Sequence, residues 1–304
     1  MELNEYVSVA STDYEALFDK IEHAKTINGV KVNLRFKYIK FTPNGELKLD
    51  LLVDTLVSYF THFCFSAQKR QLNDELTDMQ REQQRNKLQT EARKLFRKWN
   101  KEGSTSGEMG EMILWLLMEV VLKAPQMVAK MDLKTNPNLE SFGSDGIHMK
   151  VVDDILNIYF GEAKLYNSIT RALDSIFDSI KGFHENGMQQ HEYNMVTTHY
   201  KYLKEDDKEK VFKFIQGSLE THELKVNHAC LVGYDWKEYE KFNSLQREEF
   251  IEDFIESYKN DTDRLTKLIQ TRFDKFSKKN LTFEVFFLPV KSVQELRDKF
   301  NEEL

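Results

Sequence analysis

Two cysteines, Cys64 and Cys230, are all that the 304-residue chain contains. They are too few and too far apart for a disulfide framework or a zinc spacing, and they fit a reducing, cytoplasmic setting. Proline (4) and glycine (12) are scarce while apolar residues recur throughout, which excludes a disordered or low-complexity chain. No run reaches the roughly 20 apolar residues of a membrane-spanning helix. The most apolar stretch, MILWLLMEVVLKA (112–124), is interrupted by Glu119 and reads as a buried helix. The opening MELNEYVSVASTDYEALF lacks a basic start and an apolar h-region, so no signal peptide is expected. Walker-type glycine loops are missing, and with them any reason to expect ATP use. Positive charge is also in short supply: a net charge of −7 is a poor overall grip for DNA.

What is present is enough apolar material, 40% of residues, for one generous core or two small ones. Charge is unevenly spread. Residues 69–101 carry ten Lys/Arg against five Asp/Glu, leaving the remainder strongly acidic. That segment is either a DNA-contacting surface or a solvated helix. Alternation predicts one or two strands over 27–43 and helices from about Leu49, including a long polar helix from Ala67 to Asn100. KEGSTSG (101–107) is the clearest break, and it divides an N-terminal strand-and-helix region (1–101) from a second domain (102–304). Beyond it the pattern predicts a helix over 107–124, a strand over 126–133, and a turn-rich stretch over 134–143. A pair of strands follows, then a helix capped by Asn167 or Ser168, and a charged helical region over 190–220. A strand at 227–235, a long amphipathic helix, a strand at 281–290 and a terminal helix complete the chain. Helix, three strands, helix, strand implies an α/β (α+β) fold with a mixed sheet flanked by helices.

One stretch concentrates chemistry: GSDGIHMKVVDDILNIYFGEAK, Gly143–Lys164. Strand residues of equal parity share a face, so Leu156, Ile158, Phe160, Glu162 and Lys164 line up, as do Asp145, Ile147, Met149 and Val151. A two-residue turn at Asp153-Asp154 pairs Val151 with Leu156, Met149 with Ile158 and Ile147 with Phe160, which brings Asp145 opposite Glu162. Like charges directly opposed on a core-facing surface are destabilising. A divalent cation such as Mg²⁺ removes that conflict, and an ammonium at Lys164 could then meet a scissile phosphate or position and polarise the attacking water. The plainer reading is a frayed hairpin end whose charges reach solvent. A third carboxylate comes from GEMGEM, where Glu108 and Glu111 share a helix face. Glu108 suits a capping role, and Glu111, expected to lie deeper, is the better candidate for a metal.

A helix acid, then Asp at the start of one strand, then Glu-x-Lys at the end of the next, resembles the PD-(D/E)XK nuclease superfamily. Asp145, Glu162 and Lys164 match its motif, with Ala163 at the variable position and Glu111 as the helix acid. Ser144 stands where the motif's Pro would be. GEMGE, GSDGIH and FGEAK are similar to HamA, the nuclease family of bacterial Hachiman antiphage defence. The resemblance implies a restriction-endonuclease-like core over about 102–235. It also implies Mg²⁺-dependent hydrolysis of DNA phosphodiesters, with Mn²⁺ able to substitute, and Glu111, Asp145 and Glu162 holding the metal. A helicase partner (HamB-like) is part of the same implication. The competing reading is a non-catalytic DNA-sensing or scaffold subunit that keeps a relic of the site.

Other features carry less. His148 has the opposite parity from Asp145 and is expected to face away from it. His184, His191 and His199 make a poor zinc pattern. Ser168 and Arg171 could touch a phosphate, although capping and surface roles suit them better. The Phe-rich strand at 283–290 is read as core, or as an edge offered to a partner.

Overall fold

In a computed structural model, residues 3–99, 107–133, 143–202, 204–215, 224–242, 247–277 and 280–304 are described. The elements run α1 (Ser11–Leu17), β1 (Phe18–Ile21), β2 (Lys31–Ile39), α2 (Leu49–Ser58), α3 (Phe60–Cys64), α4 (Ala67–Arg70), α5 (Asp78–Trp99) and α6 (Glu108–Val121). They continue with α7 (Lys130–Leu133), β3 (Gly146–Val152), β4 (Ile155–Tyr166), α8 (Ile169–Glu185), α9 (Met188–Thr198) and α10 (Glu205–Ile215). β5 (Leu224–Asp235), α11 (Arg247–Lys275), β6 (Thr282–Val290) and α12 (Val293–Glu302) close the chain.

The six strands form one mixed sheet in the order β1-β2-β6-β5-β4-β3. The two outer pairs are antiparallel and the inner pairings are parallel. β6 is therefore central, and all nine of its residues are buried, which settles its place in the core. Phe286, Leu288 and Val290 face a layer built from α2, α3, α6 and α12, while Phe283, Val285 and Phe287 face α8 and α11. This is the mixed sheet flanked by helices that the sequence implies, and it is consistent with a restriction-endonuclease-like core. Residues 101–106, where the sequence places its division, lie outside the described residues. The sheet and the α6-side core draw on residues from both sides of it.

The hairpin register is the one the alternation dictates: Val151 pairs with Leu156, Met149 with Ile158 and Ile147 with Phe160. Asp153 and Asp154 both take left-handed φ values (+51° and +60°), as a two-residue type I′ turn requires. Ser168 caps α8 and Ser292 caps α12 through their hydroxyls.

Two elements differ from expectation. The long polar helix is interrupted between α4 and α5. There Asn73 Oδ1 accepts the Glu75 N–H at 2.9 Å, and Thr77 and Gln80 exchange bonds in a capping box that restarts the helix. The strand expected over 126–133 is reduced to a bridge between Gln126 and His148. The Met127 N–H donates to Ile147 O, but the chain then turns into α7 to bury Met127, Val128 and Met131. The stretch at 134–142 lies outside the described residues.

Candidate active site

α6 is buried nearly all round, and it approaches the sheet closely because two glycines let it. A Cβ on Gly110 would stand 3.2 Å from Leu165 Cγ and 3.4 Å from Ala163 Cβ. A Cβ on Gly161 would meet Leu114 Cδ2 at 3.2 Å and the Gly146 backbone nitrogen at 3.4 Å. The first turn of α6, with Glu108 and Glu111, is thereby seated against the end of the β3–β4 hairpin. Glu108 is the more buried of the two and Glu111 is half-buried, the reverse of the depth expected from the sequence. Glu111 is nevertheless the one whose charge acts on Asp145.

Asp145 precedes the first residue of β3. Its N–H donates to Gly161 O at 2.8 Å, and its Oδ2 accepts the Ala163 N–H at 2.7 Å. Ala163 lies two residues past Gly161, so its N–H points out of the same edge, where β3 no longer reaches. The carboxylate takes the place of the missing strand. Glu162 projects toward the α8 face, opposite Cys230 of β5, and Glu111 comes from α6 on the other face. Asp145 sits between them at the sheet edge. Desolvation raises its carboxyl well above the ordinary range, and the charges of Glu162 and Glu111 raise it further.

Lys164 Nζ lies 2.7 Å from Glu162 Oε1. Burial alone would lower its pKa, but attraction to Glu162 and Asp145 outweighs burial and raises it, so the ammonium stays protonated. The structure thus brings Glu162, Lys164 and Glu111 within electrostatic reach of Asp145. Among the described residues, no three His, Cys, Asp or Glu side chains stand close enough to hold a metal ion as placed. Glu162 is turned to Lys164, and Asp145 to the Ala163 amide. In chemistry, the carboxylates of Asp145, Glu162 and Glu111 are the oxygen donors that a hard divalent cation takes.

Behind Asp145 is a clamp that the sequence did not reveal. Glu192 of α9 is fully buried. Its Oε1 accepts the Ser144 N–H at 2.7 Å and lies 2.6 Å from Lys130 Nζ, which also donates to Ser144 O at 2.6 Å. Both backbone groups of the residue before Asp145 are held. Gly143 makes room for this: its φ is +132°, and a Cβ there would lie 2.0 Å from Glu192 Oε1. A glycine two residues before a candidate ligand was the only sequence signal.

Glu119, the acid inside the apolar helix, anchors a second buried network. It accepts the N–H groups of Ser8, Val9 and Gln126. Lys201, 1% exposed, donates to Gln126 Oε1 and His62 O at 2.6 Å each, and burial lowers its pKa. Gln126 in turn lines a cavity of about 10 Å³ shared with Glu111, Asp145 and His148. His148 lies on the face away from Ile147 and Met149, and its Nδ1–H donates to Ala124 O. Ser168 is the α8 cap, and Arg171 lies over the Tyr166 ring.

No helix among the described residues is long and apolar enough to cross a membrane. No curated protein and no solved structure matched the chain. The family model of HamA does match, over residues 13–304, which is nearly the whole length. The chain therefore belongs to the HamA family, the antiphage defence proteins of the Hachiman system.

Proposed function

We propose that the chain is a metal-dependent deoxyribonuclease, the DNA-cleaving subunit of a Hachiman complex that works with a helicase partner. The observation that carries this reading is the convergence of Glu111, Glu162 and Lys164 on Asp145, whose proton affinity their two acids raise. A structural hairpin end gains nothing from such a cluster, whereas a cation site uses it.

In this reading Asp145 and Glu162 hold the metal, with Glu111 as a third ligand from α6. Magnesium, or manganese in its place, supplies charge neutralisation at the phosphoryl oxygens and an activated water when bound. Lys164 remains protonated, so it serves as a hydrogen-bond donor and a fixed positive charge, not as a base. It meets negative charge as it develops on the phosphodiester, an interaction stronger in the transition state than in the ground state. The Ala163 N–H and the clamped Ser144 backbone hold Asp145 in place through that change. With a metal bound, Glu162 would be one of its ligands, and Lys164, now its ion-pair partner, would be the cation facing the substrate phosphate.

The second reading, a non-catalytic DNA-sensing subunit, draws on the Glu162–Lys164 ion pair, which satisfies both groups without a metal. Plasmid degradation separates the two. Cleavage is expected in Mg²⁺ and absent in EDTA, with a loss of about a hundred-fold or more in Glu162→Ala and Lys164→Ala. Wild-type rates in both variants reject the enzyme reading.

A further inference from the structure

The most basic segment of the chain folds around a cleft whose described lining holds no acidic residue. It encloses about 430 Å³ and is lined by His62 of α3, Arg70 at the end of α4, and Arg85 and Asn86 of α5, with Leu72 and Leu88 as apolar surface. Some neighbouring cations have partners: Lys69 pairs with Glu91 and Asp132, Arg81 with Asp78, and Arg93 with Glu303. Arg70, half-buried, and Arg85, exposed on α5, enter no ion pair among the described residues. The Nε of Arg70 and the Nδ1 of His62 are both buried without a hydrogen-bond partner.

More positive charge lies behind. Lys201 donates to the His62 carbonyl, and after desolvation itself, Arg70 and Lys201 push the His62 pKa down to about 4. Desolvation lowers the Arg70 pKa, and against it act the Tyr202 phenol and, among the described residues, one carboxylate, Glu119, already bonded to three backbone N–H groups. A half-buried guanidinium without a counter-charge is costly, and natural proteins rarely keep one. A phosphate removes that cost, because its oxygens match the guanidinium fork and accept charge-assisted bonds. The leucines suit the organic part of a phosphate ester. We propose that this cleft binds a phosphate-bearing ligand through Arg70 and Arg85.

The site shares no residue with the Asp145 cluster, so it stands or falls apart from the nuclease reading. The test is calorimetric titration of the full chain with adenosine monophosphate, inorganic pyrophosphate and a short thymidine oligomer. Arg70→Gln and Arg85→Gln should each weaken binding by about ten-fold or more, and Lys87→Gln, on the same helix but outside the cleft, should not. That pattern with the monophosphate or pyrophosphate assigns a free phosphate compound; the same pattern with the oligomer alone assigns a nucleic-acid phosphate. Wild-type affinity in Arg70→Gln, an equal loss in Lys87→Gln, or no binding of any of the three overturns the proposal. Without ligand, Arg70→Gln should unfold at a higher temperature than wild type. A lower midpoint would show that the guanidinium already has a compensating partner, and would overturn the site as well.

Discussion

Replacing Glu192 by alanine tests how Asp145 is held. The Glu192 side chain is fully buried and its partner Lys130 is 11% exposed, so the variant strands a nearly buried ammonium and leaves the Ser144 N–H without its acceptor. Breaking a buried ion pair by removing one partner costs about 3–5 kcal/mol. Lys130→Met strands the carboxylate and should cost a similar amount. The double variant Lys130→Met/Glu192→Gln removes both charges, yet the glutamine carbonyl can still accept from Ser144. It should unfold within about 1 kcal/mol of wild type. Urea unfolding followed by tryptophan fluorescence gives all four values, and Glu192→Gln alone closes the cycle that yields the coupling between the positions. In the folded fraction of Glu192→Ala, hydrogen exchange at the Ala163 amide should speed up while Ile158 and Phe160 of the same strand keep their protection. A single-variant cost under about 1 kcal/mol, or a double variant no better than its parents, would refute the clamp.

Three further outcomes are expected. Gly161→Ala forces a methyl to within 3.2 Å of Leu114 and 3.4 Å of the Gly146 nitrogen, so it should cost about 1–3 kcal/mol in urea unfolding. His148 and His228 are both buried, and desolvation lowers each from the ordinary 6.5 to about 3. The unfolded chain therefore binds more protons below pH 6.5, and stability, complete above that value, falls as pH drops toward 3. Between pH 7 and pH 5 the loss should be about 2 kcal/mol per histidine, with His62, lowered to about 4, adding a similar share, so His228→Gln should remove about a third of the combined slope. Asp153→Asn with Asp154→Gly supplies the preferred type I′ pair at two left-handed positions, and should stabilise the hairpin by about 0.5–1 kcal/mol, read as a higher thermal midpoint.

The hairpin was legible because strand alternation is local: once Asp153-Asp154 is taken as the turn, every pairing up to Gly146 follows. The approach of Glu162 and Lys164 to Asp145 came with it. The α5 start was misread because a capping box at Thr77 and Gln80 hides inside a run of good helix formers. The segment after Pro125 was misread because its apolar residues serve packing, not a ladder. The clamp and the Glu119 network depend on contacts between remote parts of the chain. Ser144 and Glu192 are 48 residues apart, and Ser8 and Glu119 are 111 apart. No periodicity encodes such pairings. The order of depth of Glu108 and Glu111 was likewise set by how α6 rolls on Gly110 and Gly161, a tertiary matter.

The most direct measurement is anomalous scattering from crystals soaked in Mn²⁺. A single strong peak at coordination distance, about 2.1–2.3 Å, from carboxylate oxygens of Asp145 and Glu162, with Glu162 moved off Lys164, is the predicted result. A map with no peak at these residues, and with Glu162 still paired to Lys164 at saturating metal, would contradict it.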